Sequence, residues 1–199
     1  MESQTPKSQT PESQTPRRTS ARERLLAAAD ELFYENGINL VGIDRVIEHA
    51  GVAKASLYDC FGSKEELIRA YLKGRADKRQ ARIVERLAGL ETPQEKILGV
   101  FELMAETANR PDYRGCAFQR ASAEAGASSI IKGTCDESRA WLRSQFTELA
   151  RQAKAADPEL LGQQLVFLYD GAALAASVDG DRNAPRAARA LAEQILRTA

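Results

Sequence analysis

Apolar side chains recur at helical spacing from Ser20 to the end of the chain, and no stretch alternates convincingly as a strand would. Ser20-x-x-Glu23 reads as a capping box, and Leu25, Leu26, Ala29, Leu32 and Phe33 follow on one face. Gly37 after Asn36 stops that first helix. Ile43, Val46, Ile47 and Ala50 form a short second helix that Gly51 breaks, and Val52, Leu57 and Phe61 give the inner face of a third. Ser63-x-x-Glu66 caps a fourth helix, whose Leu67, Ile68, Tyr71 and Leu72 lead on to Ile83 and Leu87. Thr92-Pro93-x-Glu95 joins an N-cap, a proline at the first helical position and a box glutamate ahead of Ile97, Leu98, Phe101 and Met104. After a loop around Pro111, a short helix is predicted near residues 117–125, and a longer one carries Trp141, Leu142, Phe146 and Leu149. Asp157-Pro158 opens the eighth, through Leu161, Leu165, Leu168, Tyr169 and Ala172. Asn183 and Pro185 open the last, with Ala188, Leu191, Ala192 and Ile195 on one face. The pattern predicts an all-α fold of about nine helices.

The N-terminus is different in kind. Residues 3–17 repeat Ser-Gln-Thr-Pro three times with no large apolar side chain, so residues 1–16 are expected to be a disordered arm. Hydrophobic residues make up 43% of the 199-residue chain and charged residues 28%, enough for a core with a solvated surface. No apolar run reaches the roughly 18 residues of a membrane span and no apolar leader follows the N-terminus, so a cytoplasmic protein without a membrane partner is expected. A formal net charge of +0 argues against a wholesale basic wrapper of nucleic acid, but not against a local DNA-reading head. Cys60, Cys116 and Cys135 are widely spaced and His49 is the only histidine, so neither a zinc site nor any other metal or cofactor is expected. Reduced thiols are the simpler reading, Cys60 included. No Ser-His-Asp set, phosphate loop or paired carboxylate frame appears, which speaks against an enzyme.

Two short helices meeting at Ala50-Gly51-Val52 have the proportions of a helix-turn-helix, in which the second helix enters the major groove by its N-terminal end. The longer string is more specific. Residues 22–68, RERLLAAADELFYENGINLVGIDRVIEHAGVAKASLYDCFGSKEELI, resemble without a gap the N-terminal pattern of the TetR family of transcriptional regulators. That resemblance implies a DNA-binding head over residues 17–79, with the motif at about 43–62, and a helical effector-binding and dimerisation region over 80–199. It also implies a homodimer bound to double-stranded operator DNA and released by a small-molecule effector. Carried over residue by residue, Lys54 and Ser56 reach base edges or phosphate, Ala55 stands at the DNA-facing position where the family often has a Gly for close approach, and Tyr58 meets a phosphate. Lys64 sits where a helix N-terminus already favours an anion. Arg18 and Arg22 reach the backbone or minor groove.

The departures are local. Gly42 and Ile43 stand where the family usually opens the second helix with Ser or Thr, and Ala53 replaces the usual Ser cap. Asp59-Cys60 replaces an aromatic-His pair, and a carboxylate there repels phosphate unless it accepts from a cytosine amino group. These changes leave open a rival reading, a helical dimer that senses a ligand or partner but has lost specific DNA reading. Phe101, Met104, Phe118, Trp141, Phe146 and Tyr169, with Cys116 and Gln119 as polar neighbours, either line a pocket for a mostly apolar effector or are ordinary core. The small-residue run around Ala172 and Ala176, with Leu165, Leu168, Leu191 and Ile195, suits either a four-helix dimer interface or packing within one subunit.

Overall fold

The computed structural model describes residues 19–198, and among them there are nine α-helices, one π-helical turn and no strand. In chain order these are α1 (Ala21–Asn36), α2 (Ile43–Ala50), α3 (Lys54–Phe61), α4 (Lys64–Ala88), α5 (Pro93–Ala108), α6 (Ala117–Glu124), α7 (Ser129–Gln152), α8 (Pro158–Leu174) and α9 (Ala184–Leu196). The π turn (Ala175–Asp179) continues α8. The expected arm at 1–16 and Arg18 lie outside the described residues.

Local chemistry sets the helix starts. Both capping boxes form: Ser20 Oγ accepts from the Glu23 amide while Glu23 returns to the Ser20 amide, and Thr92 and Glu95 do the same at α5. Asp157 accepts from the Leu160 amide in front of Pro158. At Gly42 and Ala53, where no side chain can cap, α2 and α3 begin without a side-chain cap.

Two apolar clusters result, and α4 belongs to both. The first gathers Leu25, Phe33, Val46, Leu57, Leu67 and Tyr71 with Phe118 and Ala121 of α6, so α6 packs into the core of the head. The second joins Ile83 of α4 to α5, α7, α8 and α9, with Phe101 and Phe146 stacked at 5.7 Å and Tyr169 edge-on to each at 6.3 and 6.4 Å. Leu72 and Ile83 are separated by about 16 Å of helix rise. The expected head boundary at residue 79 falls in that stretch, inside an unbroken helix.

α7 and α8 approach closely because Gly162 has no side chain: a Cβ there would collide with the Thr147 side chain and lie 3.0 Å from the Thr147 Cα and N. Gly162→Ala is expected to cost about 1–3 kcal/mol as an overpacked contact against backbone. Urea unfolding checks this, and an unchanged midpoint would mean that the two helices can part freely.

α8 turns three of the expected interface residues away from the surface. Leu165, Ala172 and Ala176 turn inward and are buried in their own subunit, while Leu168 and Ile195 are half-buried. The outward stripe is Leu160, Phe167, Leu174 and Val178, with Leu191 of α9 also exposed. Because α8 is apolar nearly all round, periodicity alone does not say which stripe faces the subunit core.

Candidate nucleic-acid interface and the cavity behind it

α2 and α3 are joined by a turn in which Gly51 takes the left-handed conformation (φ 60°, ψ 44°), open to glycine at no steric cost. Arg24 of α1 donates to the Gly51 carbonyl at 3.0 Å and so fixes the turn to the first helix. On α3, Lys54, Ala55, Tyr58 and Asp59 are exposed on one side, Ser56 is half-buried, and Leu57 is fully buried against the head core. Lys54 Nζ lies 2.9 Å from Asp44 Oδ1 of α2, and this partner raises the ammonium pKa. Both groups are solvent-exposed, so the pair is weak, screened by salt and readily exchanged for a phosphate.

Arg22 stacks over the Phe61 ring at 5.1 Å, which places its charge at the C-terminal end of α3. Lys64 opens α4, where Ser63 caps the Glu66 amide. Partial burial lowers the Lys64 pKa, opposed by Glu124 of α6. The residues carried over from the family pattern that the structure describes therefore fall on α3, at its end, or on the first turns of α1 and α4.

The head is clamped to the rest of the molecule. The Asn39 amide and side chain donate to the Glu124 carboxylate and carbonyl, both at 2.9 Å. Arg120 donates to the Tyr34 carbonyl at 2.6 Å, and the Tyr34 hydroxyl accepts from the Arg114 amide and donates to the Gly115 carbonyl. The Arg75 guanidinium lies 3.5 Å over the Tyr34 ring and pairs with Asp30 at 2.6 Å, which Lys78 also reaches at 3.2 Å. α1 is thus held by α4 on one side and by α6 and its leading segment on the other.

Directly behind this clamp lies a cavity of about 580 Å³. α4 contributes Arg75, Lys78, Arg79, Arg82 and Ile83, and α5 contributes Val100, Leu103, Met104 and Thr107. Segment 110–118, Tyr169 and Ala173 of α8, and Asp30 and Tyr34 of α1 complete the wall. Its volume lies within the ~300–1,000 Å³ usual for small-molecule sites.

Of the expected effector residues, Met104, Cys116, Phe118 and Tyr169 line this cavity. Phe101, Phe146, Trp141 and Gln119 do not: the two phenylalanines are spent on their mutual stack in the core, and Trp141 packs against the same cluster. Gln119 donates to the Asp170 carbonyl and carboxylate. Nor is the wall uniformly apolar, because five cationic side chains meet there with two carboxylates. In the sequence the four cations of α4, at 75, 78, 79 and 82, share one helical face and have the pattern of an ordinary solvated one.

His49 pairs with Glu31 at 2.9 Å, and burial pushes the Cys135 thiol up to about 11, which keeps it protonated. Among the described residues no three His, Cys, Asp or Glu side chains are grouped as a metal would require, and no helix is long and apolar enough to cross a membrane.

Residues 25–71, which include all of α2 and α3, match the family model for bacterial regulatory proteins of the tetR family. The crystal structure of SCO4454, a TetR-family transcriptional regulator from Streptomyces coelicolor, superposes with a TM-score of 0.83 at 32% identity, over 89% of this chain and 95% of that one. The chain belongs to the TetR family of transcriptional regulators.

Curated relatives match over the head. The transcriptional activator FasR of Mycolicibacterium smegmatis is 42% identical over 60 residues, 30% of this chain and 27% of its own length. The transcriptional repressor KstR2 of Mycobacterium tuberculosis is 33% identical over 82 residues, 41% of each chain. The chain thus spans less than half the length of these curated relatives. These relatives are transcriptional regulators rather than enzymes, one an activator and one a repressor.

Proposed function

We propose that this TetR-family chain is a cytoplasmic homodimeric repressor, released from operator DNA when a small molecule fills the cavity behind its head. The observation that carries the reading is that the cavity wall includes Asp30 and Tyr34 of α1 beside Arg75 and Lys78 of α4. An occupant there touches the head itself, through the clamp that orients it. α4 is the transmitter, because it starts beside the DNA-facing side at Ser63 and Lys64 and forms one wall of the cavity further along. A change in its tilt alters the separation of two heads that must read sites about one helical turn, ~34–36 Å, apart. The second copy docks on the apolar stripe of α8 and on Leu191.

Selection of bound sequences from a random duplex pool, with excess unrelated DNA, tests the reading head. An enriched two-fold-symmetric site is expected. Absence of enrichment would favour the rival in which uncapped α2 and α3 and the exposed Asp59 have lost specific reading.

With that site in hand, Tyr58→Phe and Lys64→Ala are expected to weaken binding to all sequences alike, and Lys64→Ala to reduce the salt slope by about one unit. Lys54→Ala and Ser56→Ala are expected to change which bases are preferred. Fluorescence anisotropy over a salt series separates the two classes, and four variants binding like the parent would remove α3 from the DNA interface.

A further inference from the structure

The charge on the cavity wall is unbalanced. Arg75, Lys78, Arg79 and Arg82 follow one another at helical spacing along α4, where like charges repel. Arg75 and Lys78 share the single carboxylate of Asp30, at 2.6 and 3.2 Å. At the mouth, Arg110 is satisfied by Asp112 at 2.8 Å. Arg79 and Arg82, the last two of the stripe, form no ion pair among the described residues. Arg79 donates to the Ser138 carbonyl and hydroxyl at 2.8 Å and lies 4.7 Å from the Phe118 ring centre, and its buried Nε has no hydrogen-bond partner. Arg82 donates to Thr107 Oγ1 at 3.0 Å.

Asp170 is the other acid that Arg79 feels, but it is engaged by Arg139 at 2.5 Å and by Gln119. Neutral acceptors hold the two guanidiniums in place: Arg79 shares the one charge of Asp170 with Arg139, and Arg82 forms no ion pair among the described residues. Beside them Ile83, Val100, Leu103 and Met104 form an apolar surface, and Tyr169 stays a neutral phenol because burial raises its pKa.

We infer that the cavity takes an amphipathic anion, whose carboxylate or similar acidic group lies against Arg79 and Arg82 and whose apolar body lies along Ile83, Leu103 and Met104. The inference rests on reading the cavity as the effector site, and it names the chemical class of the effector. Guanidiniums match planar oxyanions by paired N–H donors, and a half-buried wall in which cations outnumber carboxylates favours an anion over a neutral molecule of the same shape. Simple clipping of α4 to α5 and α7 accounts for the bonds to Thr107 and Ser138, but a neutral amide would serve those acceptors as well. The excess of positive charge is what clipping leaves unexplained.

The test uses two fluorescent probes of one shape, anionic 1-anilinonaphthalene-8-sulfonate and uncharged N-phenyl-1-naphthylamine, on the full-length protein. Titration of the parent, Arg82→Gln and Arg82→Lys, each checked for an unchanged melting temperature, reads the charge at one position. Arg79→Gln repeats the reading at a second position, should Arg82→Gln fail to fold. Expected are a tenfold or greater loss of the sulfonate probe in the Gln variants, partial recovery in Arg82→Lys, which restores the charge but not the paired donors, and a change under twofold for the neutral probe. Dodecanoate should also displace the sulfonate probe from the parent at concentrations where dodecanamide does not. Equal losses of both probes, an unaffected sulfonate probe, or no sulfonate binding by the parent would each overturn the inference. Anion binding that leaves DNA affinity unchanged would instead overturn the effector reading while the anion site stands.

Discussion

Phe167→Asp is expected to convert the protein to a monomer and to lower its affinity for a two-half-site operator by about a hundredfold or more. Phe167 is 56% exposed in the middle of the outward stripe of α8, between Leu160 at 51% and Leu174 at 53%, with Val178 at 71% beyond. Large exposed apolar side chains repeating every seven residues along one helical face mark a subunit contact more often than a monomer surface. Covering the stripe with a second copy makes it a central part of the interface, where a carboxylate would be buried without a partner. Dissociation costs the operator complex the gain of linking two heads, which reaches about 10²–10⁴. Sedimentation equilibrium reads the assembly and anisotropy on the selected duplex reads the affinity. Val84→Asp, at a similarly exposed apolar position on α4, is the control expected to remain dimeric. A Phe167→Asp protein that stays dimeric and binds DNA normally would place the interface elsewhere.

The same helix shows what was legible in the sequence. Helix starts were, because they depend on neighbours along the chain: Ser20 with Glu23, Thr92 with Glu95, and Asp157 before Pro158 all act within one turn. The turn at Gly51 was legible for the same reason. The missing caps at Gly42 and Ala53 could also be read directly, since neither residue has a side chain that accepts a hydrogen bond.

The facing of α8 was not legible, because Leu161, Leu165, Phe167, Leu168 and Leu174 offer two apolar stripes of similar strength. Choosing between them requires the positions of α7 and α9. The cavity was legible only in part. Met104, Phe118 and Tyr169 stand out as large side chains in the middle helices, but so do Phe101 and Phe146, and only the folded packing stacks that last pair on each other. The cationic face of α4 has the pattern of an ordinary solvated face. It becomes a wall when α5 and the segment before α6 fold over it, a tertiary event with no local mark in the chain.

The second large effect is the coupling between cavity and operator. Tyr34 and Asp30 belong to the head and to the cavity wall at once, and Arg75 touches both. An occupant that prefers one setting of this clamp therefore biases the head, and it acts only through its difference in affinity for the two settings. A coupling of about 1–3 kcal/mol lowers operator affinity roughly 5- to 150-fold, and operator DNA must weaken the occupant by the same factor. The measurement is calorimetric titration, with and without saturating selected duplex, of the tightest binder from a panel of aliphatic and aromatic carboxylates and their neutral amides. The account predicts an affinity at least fivefold weaker in the presence of the duplex, matched by an equal loss of duplex affinity when the ligand is saturating. Equal ligand affinities with and without duplex would contradict it.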